Sequence, residues 1–244
     1  KHDPKKDIEV INTELVLADL QTAEKRLPKL QKEARANPKL KPHADALEKI
    51  YKILDEGTPL SHASEKFPEE YIQDLHLLTA KPVIYVFNVD ENTLQNEDKK
   101  KELSKLVGSA KSLFVCAKLE SELIGLDESD REELLESYGV QESGLVQVIH
   151  AAYDTLGLQS YLTAGEKEVR AWTIHQGYTA PQAAGVIHGD FEKGFIAAQI
   201  VDYKDLVAAG SESAAKAAGK VRTEGKDYIM QPDDVVEFRF NVTK

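Results

Sequence analysis

Cysteine, methionine and tryptophan each occur once among 244 residues. The single thiol, Cys116, excludes an internal disulfide framework and fits a reducing cytosol. Apolar runs are short, and none approaches the roughly 20 residues that cross a bilayer. The chain opens KHDPKKD with no apolar segment behind it, so no signal peptide is read there. These absences predict a cytoplasmic protein. No G-x-x-x-x-G-K-[ST] string occurs, and no D-x-x-G stretch is read as metal-contacting. Such a glycine-rich loop supplies backbone N–H groups, a lysine and a hydroxyl for phosphates and Mg²⁺. Phosphate chemistry therefore has no visible cradle within these residues.

What is present is ordinary in amount and uneven in charge. Hydrophobic residues make up 41% and charged residues 30%, a globular balance that suggests one large or two modest domains. The net charge of −11 is concentrated in the middle. Residues 1–58 carry 12 basic against 11 acidic side chains, residues 59–150 carry 9 against 18, and residues 151–244 carry 10 against 13. The middle should repel nucleic acid, while the ends can still present basic faces. A generic nucleic-acid coat is disfavoured; docking on a ribosome is not.

The organising stretch is Lys81 to Glu91, KPVIYVFNVDE. Val83 to Phe87 is a near-continuous apolar run, which predicts a strand buried on both faces of a parallel sheet. It ends at Asn88, Val89, Asp90 and Glu91, and in open α/β sheets the carboxyl edge is where ligands bind. Polar residues also end strands for turn reasons, so these four residues alone decide nothing.

Ahead of this strand, Asp7 to Arg35 has helical composition, with Pro28 expected to kink or interrupt it. A second helix is predicted from Pro42 to Asp55, where Ala44, Leu47, Ile50, Tyr51 and Leu54 keep helical spacing and Gly57 supplies a stop. The pair reads as an antiparallel hairpin or coiled coil. A third helix is expected over Ser61 to Leu78.

Behind the strand come a helix near Glu97 to Val107, a second buried strand at Leu113 to Cys116, a helix opened by Asp127, and an apolar helix from Gly144 to Leu156. Strand and helix in alternation predict half of a doubly wound α/β domain. From about Ser160 the pattern changes to alternating strands at 168–174, 195–201 and 235–242, with a short helix at Ala180 to His188, which suggests a small β-grasp module.

Three stretches carry a family resemblance: DIEVINTELVLADL at Asp7–Leu20, NVDE at Asn88–Glu91, and a C-terminal block. That block contains KEVRAWTI, TAPQAAGVIHGDFEKGFIAAQIV and GKVRTEGKDYIMQPDDVVEFRFNV. Together they closely resemble the YchF-type Obg-like ATPases, P-loop proteins of the translation-factor GTPase class, over essentially the whole chain. The resemblance implies a G domain in two pieces (1–11 and 79–158), a helical coiled-coil insertion (12–78) and a TGS domain of β-grasp fold (160–243). It implies that this chain is the C-terminal part of a protein that hydrolyses ATP, with GTP as the alternative, uses Mg²⁺ and associates with ribosomes or ribosomal RNA in translation or stress regulation. The competing reading is a non-catalytic ribosome- or RNA-binding adaptor without a P-loop. The TGS region of a synthetase or alarmone enzyme fits less well, because NVDE and the helical insertion are not expected there.

By position, NVDE stands where the class reads its base, an N-x-x-E in place of N-K-x-D. The resemblance implies that Asn88 and Val89 frame an adenine, with Glu91 where GTPases use a guanine-reading Asp. Cys116, Ala117 and Lys118 stand at the base-supporting loop after the next strand, where backbone N–H groups could meet the base; a small buried residue is the alternative for Cys116. His188, Asp190, Phe191, Glu192 and Phe195 match the family signature and are read as fold or partner residues rather than catalytic ones. Lys193, Lys220, Arg222 and Lys226 are candidates for a basic strip facing ribosomal RNA, or simply a solvated surface. Pro232-Asp233-Asp234 stands where the family has Asp-Gly-Asp, so the turn before the last strand must be built without glycine.

Overall fold

The computed structural model describes residues 3–165 and 168–241, and the chain divides into two compact units, 1–147 and 148–244. The first unit opens with helix α1, Pro4–Ala36, capped by Asp3, whose carboxylate accepts from the Lys6 N–H. The expected helix from Asp7 to Arg35 is found, extended by three residues at its start and one at its end. Pro28 does not interrupt it. A proline removes one backbone bond, but Ala23, Leu27 and Leu30 on either side are packed, and tertiary packing supplies most helical stability in proteins.

Helix α2, Lys41–Asp55, returns along α1. Val16, Ala23 and Leu30 face Ala44, Leu47, Ile50 and Leu54 in one cluster, closed at its end by Leu60 and Leu77. Gly57, at φ 80°, takes the left-handed turn after α2, and Thr58 N–H reaches the Ile53 carbonyl at 3.1 Å. The expected helix over Ser61 to Leu78 is absent. That stretch holds only one-turn pieces, including α3 at Glu69–Ile72, because Pro68 disfavours helix at Phe67 and His76 sits at φ 49°.

Strand β1, Ile84–Asn88, is followed by α4 (Glu91–Leu94), α5 (Glu97–Lys105) and strand β2, Lys111–Val115. The strands pair in parallel from Ile84↔Lys111 to Asn88↔Val115. The order β-α-β is the expected α/β pattern. Burial on both faces is not found: Val86 is 49% exposed and Val83 is also open to solvent, because the sheet has two strands and covers only part of β1. Helices α6 (Ala117–Glu122) and α7 (Glu128–Ser137) follow, the latter capped by Asp127, and then α8, Gly144–Leu156. Leu94, Cys116, Leu119, Leu123 and Leu135 form the core beneath the loops that follow β1 and β2.

The second unit is built on a five-stranded sheet, from β3 (Leu158–Ala164), β4 (Val169–His175), β5 (Phe195–Asp202), β6 (Arg222–Glu224) and β7 (Asp234–Phe240), in the order β4-β3-β7-β5-β6. All contacts are antiparallel except β3 with β7. Helices α9 (Ala180–Ile187), α10 (Gly189–Lys193), α11 (Tyr203–Ala209) and α12 (Glu212–Ala217) fill the connections. Strands β3 and β6 are absent from the sequence reading, and the last expected strand residue, Val242, lies outside the described residues. Tyr161 in β3 is fully buried and donates its hydroxyl to the Ala183 carbonyl at 3.0 Å, which ties α9 to the sheet. Gly194 allows a close approach, since a Cβ there would lie 2.0 Å from the Asn241 carbonyl oxygen.

Candidate functional site: the carboxyl edge of the parallel strands

The two parallel strands end side by side, which brings NVDE against the loop after β2. Asn88, the last residue of β1, accepts through Oδ1 from the Ala117 N–H at 3.2 Å. Val89 donates its N–H to the Val115 carbonyl at 2.9 Å and packs its side chain on the core below. Asp90 caps α4 by accepting from the Thr93 N–H at 2.7 Å, so the chain turns immediately and Glu91 stands in the first helical turn. Asp90 is held below the usual carboxylate range by its hydrogen bonds to Thr93.

Glu91 is not idle. Its Oε1 receives the Lys118 ammonium at 2.5 Å and lies 3.4 Å from the Tyr138 hydroxyl, which also approaches Glu122. The hydrogen bond and charge of Lys118 lower the Glu91 pKa, and the same pair raises that of Lys118. Burial, with Glu122 and Glu91 beside it, raises that of Tyr138.

The structure thus brings Asn88, Val89, Glu91 and Ala117 to one strand edge. It sends the Cys116 side chain elsewhere: the thiol is buried among Leu94, Leu119 and Leu123, so only the backbone of Cys116 belongs to the loop. Lys118, expected in this loop through its backbone, joins the constellation through its ammonium, and Tyr138 completes it and is missing from the sequence-derived set. Tyr138 is 47 residues from Glu91 and carried no signal in the sequence.

Chemically, this edge offers hydrogen-bond acceptors on Glu91, a lysine stem and apolar surface at Val89. That set suits one end of a purine. Among the described residues no group of three or more His, Cys, Asp or Glu could hold a metal ion. A D-x-x-G string does occur, at Asp154 to Gly157, but it closes α8: Gly157 N–H bonds the Asp154 carbonyl at 3.1 Å and Gly157 is left-handed at φ 63°. It is a helix stop rather than a metal loop.

The basic candidates in the second unit are dispersed and partly neutralised. Lys220 pairs with Asp205 at 3.2 Å. Arg222, on edge strand β6, lies 3.7 Å from Asp234 and over the Tyr228 ring. Lys193 closes α10, and Lys226 stands in the turn after β6. Nearby, His188 caps α10 by accepting through Nδ1 from the Asp190 N–H at 3.2 Å, a structural task for both signature residues. The glycine-free turn is made by Asp233 at φ 69°, with buried Asp234 accepting from the Gln231 N–H and the Tyr228 hydroxyl.

The class defined by this fold is α/β, an arrangement shared with solved GTPase structures. The structure of the Schizosaccharomyces pombe YchF GTPase matches 97% of this chain and 66% of its own length, at TM-score 0.80 and 34% identity. A GTP binding protein from Pyrococcus horikoshii shares the fold at TM-score 0.60 and 19% identity, over 98% of this chain and 72% of its own. The family model YchF-GTPase_C, described as a protein of unknown function, matches residues 158–241. The ribosome-binding ATPase YchF of Bacillus subtilis is 46% identical over 99% of this chain and 68% of its own length, and the Obg-like ATPase 1 of Caenorhabditis elegans is 39% identical over 98% and 62%. The chain belongs to the YchF family of Obg-like ATPases. It spans about two thirds of the length of these relatives.

Proposed function

We propose that this chain is the C-terminal part of a cytoplasmic, ribosome-associated ATPase, active in translation or stress regulation, and that the edge formed by Asn88, Val89, Glu91, Ala117 and Lys118 reads the nucleotide base. The observation that carries this is the hydrogen bond from the Ala117 N–H to Asn88, which fastens the loop after β2 to the base motif. Asn88 is a positioning residue in this reading. Glu91 accepts from the adenine N6 amino group, while Val89 and the Lys118 stem cover the ring. Guanine, with its paired N1–H and N2 donors, is the less favoured base. Phosphates and Mg²⁺ are supplied with partners by the remaining third of the whole protein, and these 244 residues contribute binding and orientation rather than a catalytic group.

The same reading assigns residues 12–78 as a helical coiled-coil insertion in a doubly wound G domain (1–11 and 79–158) and the second unit as a TGS domain of β-grasp fold. The β4-β3-β7-β5-β6 order, with its one parallel contact between β3 and β7 and helix α9 across the sheet, supports the latter. Ribosomal RNA is met by the exposed cations of that unit, Lys193 and Lys226 before the paired Lys220 and Arg222. The names of the curated relatives support a ribosomal partner. The test is a side-by-side assay of the whole protein and this chain for Mg²⁺-dependent ATP turnover and for co-sedimentation with ribosomes. Turnover by the whole protein that survives loss of the edge through Asn88→Ala and Glu91→Ala would place base recognition elsewhere.

A further inference from the structure

The sheet of the second unit has two faces, and α9 fills only one of them. Ile200 and Val236, partners on β5 and β7, are buried on that side with Ala183 and Ala184. The neighbouring rungs, Gln199↔Glu237 and Val201↔Val235, point to the other face, since side chains alternate along a strand. Helices α11 and α12 pack Leu206 and Ala215 onto Val201 and Val235 there. Their cover ends before the next rung, where Gln199 is half-buried and Glu237 is exposed. A cavity of about 260 Å³ opens between sheet and helices at this step, with Val201, Leu206, Val221 and Val235 as its apolar lining.

Three polar side chains complete the lining: Gln199, Glu212 in the first turn of α12, and Glu237. No side-chain hydrogen bond or ion pair engages any of them among the described residues. The nearby cations are used elsewhere or point away. Lys220 is held by Asp205 at 3.2 Å. Arg222, the partner of Ile200 on β6, lies on the opposite face, 3.7 Å from Asp234. Arg239, two residues beyond Glu237, is exposed and lines no part of the cavity. Ligand sites are mostly apolar hollows with a few placed polar groups. Here the uncompensated carboxylates repel anions and attract a cation, and the aliphatic lining favours an apolar body on that cation. An α-helix with its side chains is about 10–12 Å across and overfills a hollow of about 260 Å³. One ring with a short charged arm fits.

We propose that this cavity binds a small organic amine, its apolar body against Val201, Leu206, Val221 and Val235 and its ammonium facing Glu212 and Glu237. The Gln199 side-chain carbonyl supplies a third acceptor. Charge supplies attraction and orientation, and the aliphatic lining supplies the surface buried. The site owes nothing to the nucleotide edge, which belongs to the first unit, and stands whether or not that edge reads a base.

The test titrates this chain with 2-phenylethylammonium and follows methyl and side-chain amide signals by NMR. Phenylacetate and 2-phenylethanol carry the same ring with negative charge and with none. The expected result is saturable shifts at Val201, Leu206, Val221, Val235 and Gln199, with a dissociation constant on the order of 1 mM, ordinary for so small a ligand. The alcohol should bind about ten-fold more weakly, and phenylacetate not at all. Glu212→Gln with Glu237→Gln should bring the amine down to the level of the alcohol and leave the alcohol unchanged. In the unaltered chain the advantage of the amine should shrink in high salt. Both glutamates are exposed, so the pair alters charge without emptying the core. Ala164→Phe, at an exposed lining position, should close the cavity to amine and alcohol alike. Shifts spread over the surface without saturation, phenylacetate binding as tightly as the amine, or full affinity in the glutamine pair would each overturn the proposal. So would a tri-lysine peptide that binds the same residues more tightly than the amine, which would assign the cavity to a polypeptide side chain.

Discussion

Asp19 and Thr79, 60 residues apart, meet twice: the Thr79 N–H at 2.7 Å and the Thr79 hydroxyl at 2.8 Å both donate to Asp19 Oδ2. The other carboxylate oxygen accepts from the Leu78 N–H at 2.8 Å. Thr79 in turn accepts from the Leu60 N–H, so α1, the segment after α2 and the approach to β1 share one buried junction. Removing the carboxylate strands three donors in an apolar setting. Asp19→Ala should therefore cost roughly 2–4 kcal/mol, since each unsatisfied buried group costs about 1–3 kcal/mol. Asp19→Asn keeps one acceptor and should lose about half as much. Urea denaturation followed by helical dichroism measures both, and equal stability of wild type and Asp19→Ala would show the junction to be dispensable.

Lys118 is the first cause of the lowered Glu91 pKa. A carboxylate with a folded pKa below its unfolded value stabilises the fold above the unfolded value, and that contribution is lost as pH falls through the folded one. Lys118→Ala should move the Glu91 titration upward toward the ordinary range. Carboxyl carbon shifts followed by NMR from neutral to acid pH report it directly. An unmoved midpoint would mean that Tyr138 and the helix start, not Lys118, hold the charge.

Strand β3 sets the border of the second unit. It pairs along its whole length with β4, meets β7, and its Gln159 side chain bonds the Met230 carbonyl at 2.7 Å. A fragment of residues 157–244 should melt cooperatively, and one of residues 160–244 should be less stable, having lost Leu158 and Gln159. A disordered NMR spectrum from the longer fragment would reject an autonomous domain.

The legibility of the chain follows from where its signals are local. Helices with an apolar stripe, α2 above all, could be placed within a residue or two because 3.6-residue spacing is visible in isolation. The 61–78 segment misled because its apolar residues pack on α1 and α2 from isolated single turns rather than from one continuous helix. Strand β3 escaped because Gly157 alone separates it from α8, and Gln159 and Ser160 break the apolar pattern. At the site, NVDE and Ala117 were readable as sequence strings. The Tyr138 contact depends on how α7 lies over the loops, which no local pattern records.

Asp233 carries a backbone cost that the structure makes visible. It holds φ 69°, a region glycine enters freely and other residues enter at a cost of about 1–2 kcal/mol, less for Asp. Asp233→Gly should raise the stability of the second unit by about 0.5–1 kcal/mol after the larger unfolded-state entropy of glycine is subtracted. Its carbonyl still accepts from the Tyr203 N–H, so that contact is unaffected. A lower midpoint in thermal unfolding would mean that the aspartate side chain holds the turn.

Nucleotide selectivity is the sharpest test of the strand edge. In the whole protein, Val89→Lys with Glu91→Asp restores the guanine-reading pattern at the two positions where this chain departs from it. Shortening Glu91 by one methylene draws its carboxylate away from the Lys118 ammonium, now at 2.5 Å, and frees it to accept from guanine N1–H and N2. A lysine at position 89 keeps its stem on the surface that Val89 covers and carries its charge to water. A site built for paired donors discriminates strongly against a base lacking them, because its polar group is then left unpaired. A charged hydrogen bond contributes roughly 1.5–3 kcal/mol, so GTP should gain on ATP by about ten-fold or more. Calorimetric titration of both proteins with non-hydrolysable ATP and GTP analogues reads the ratio. If a folded double variant kept the original ratio, the base would be read by groups other than Val89 and Glu91.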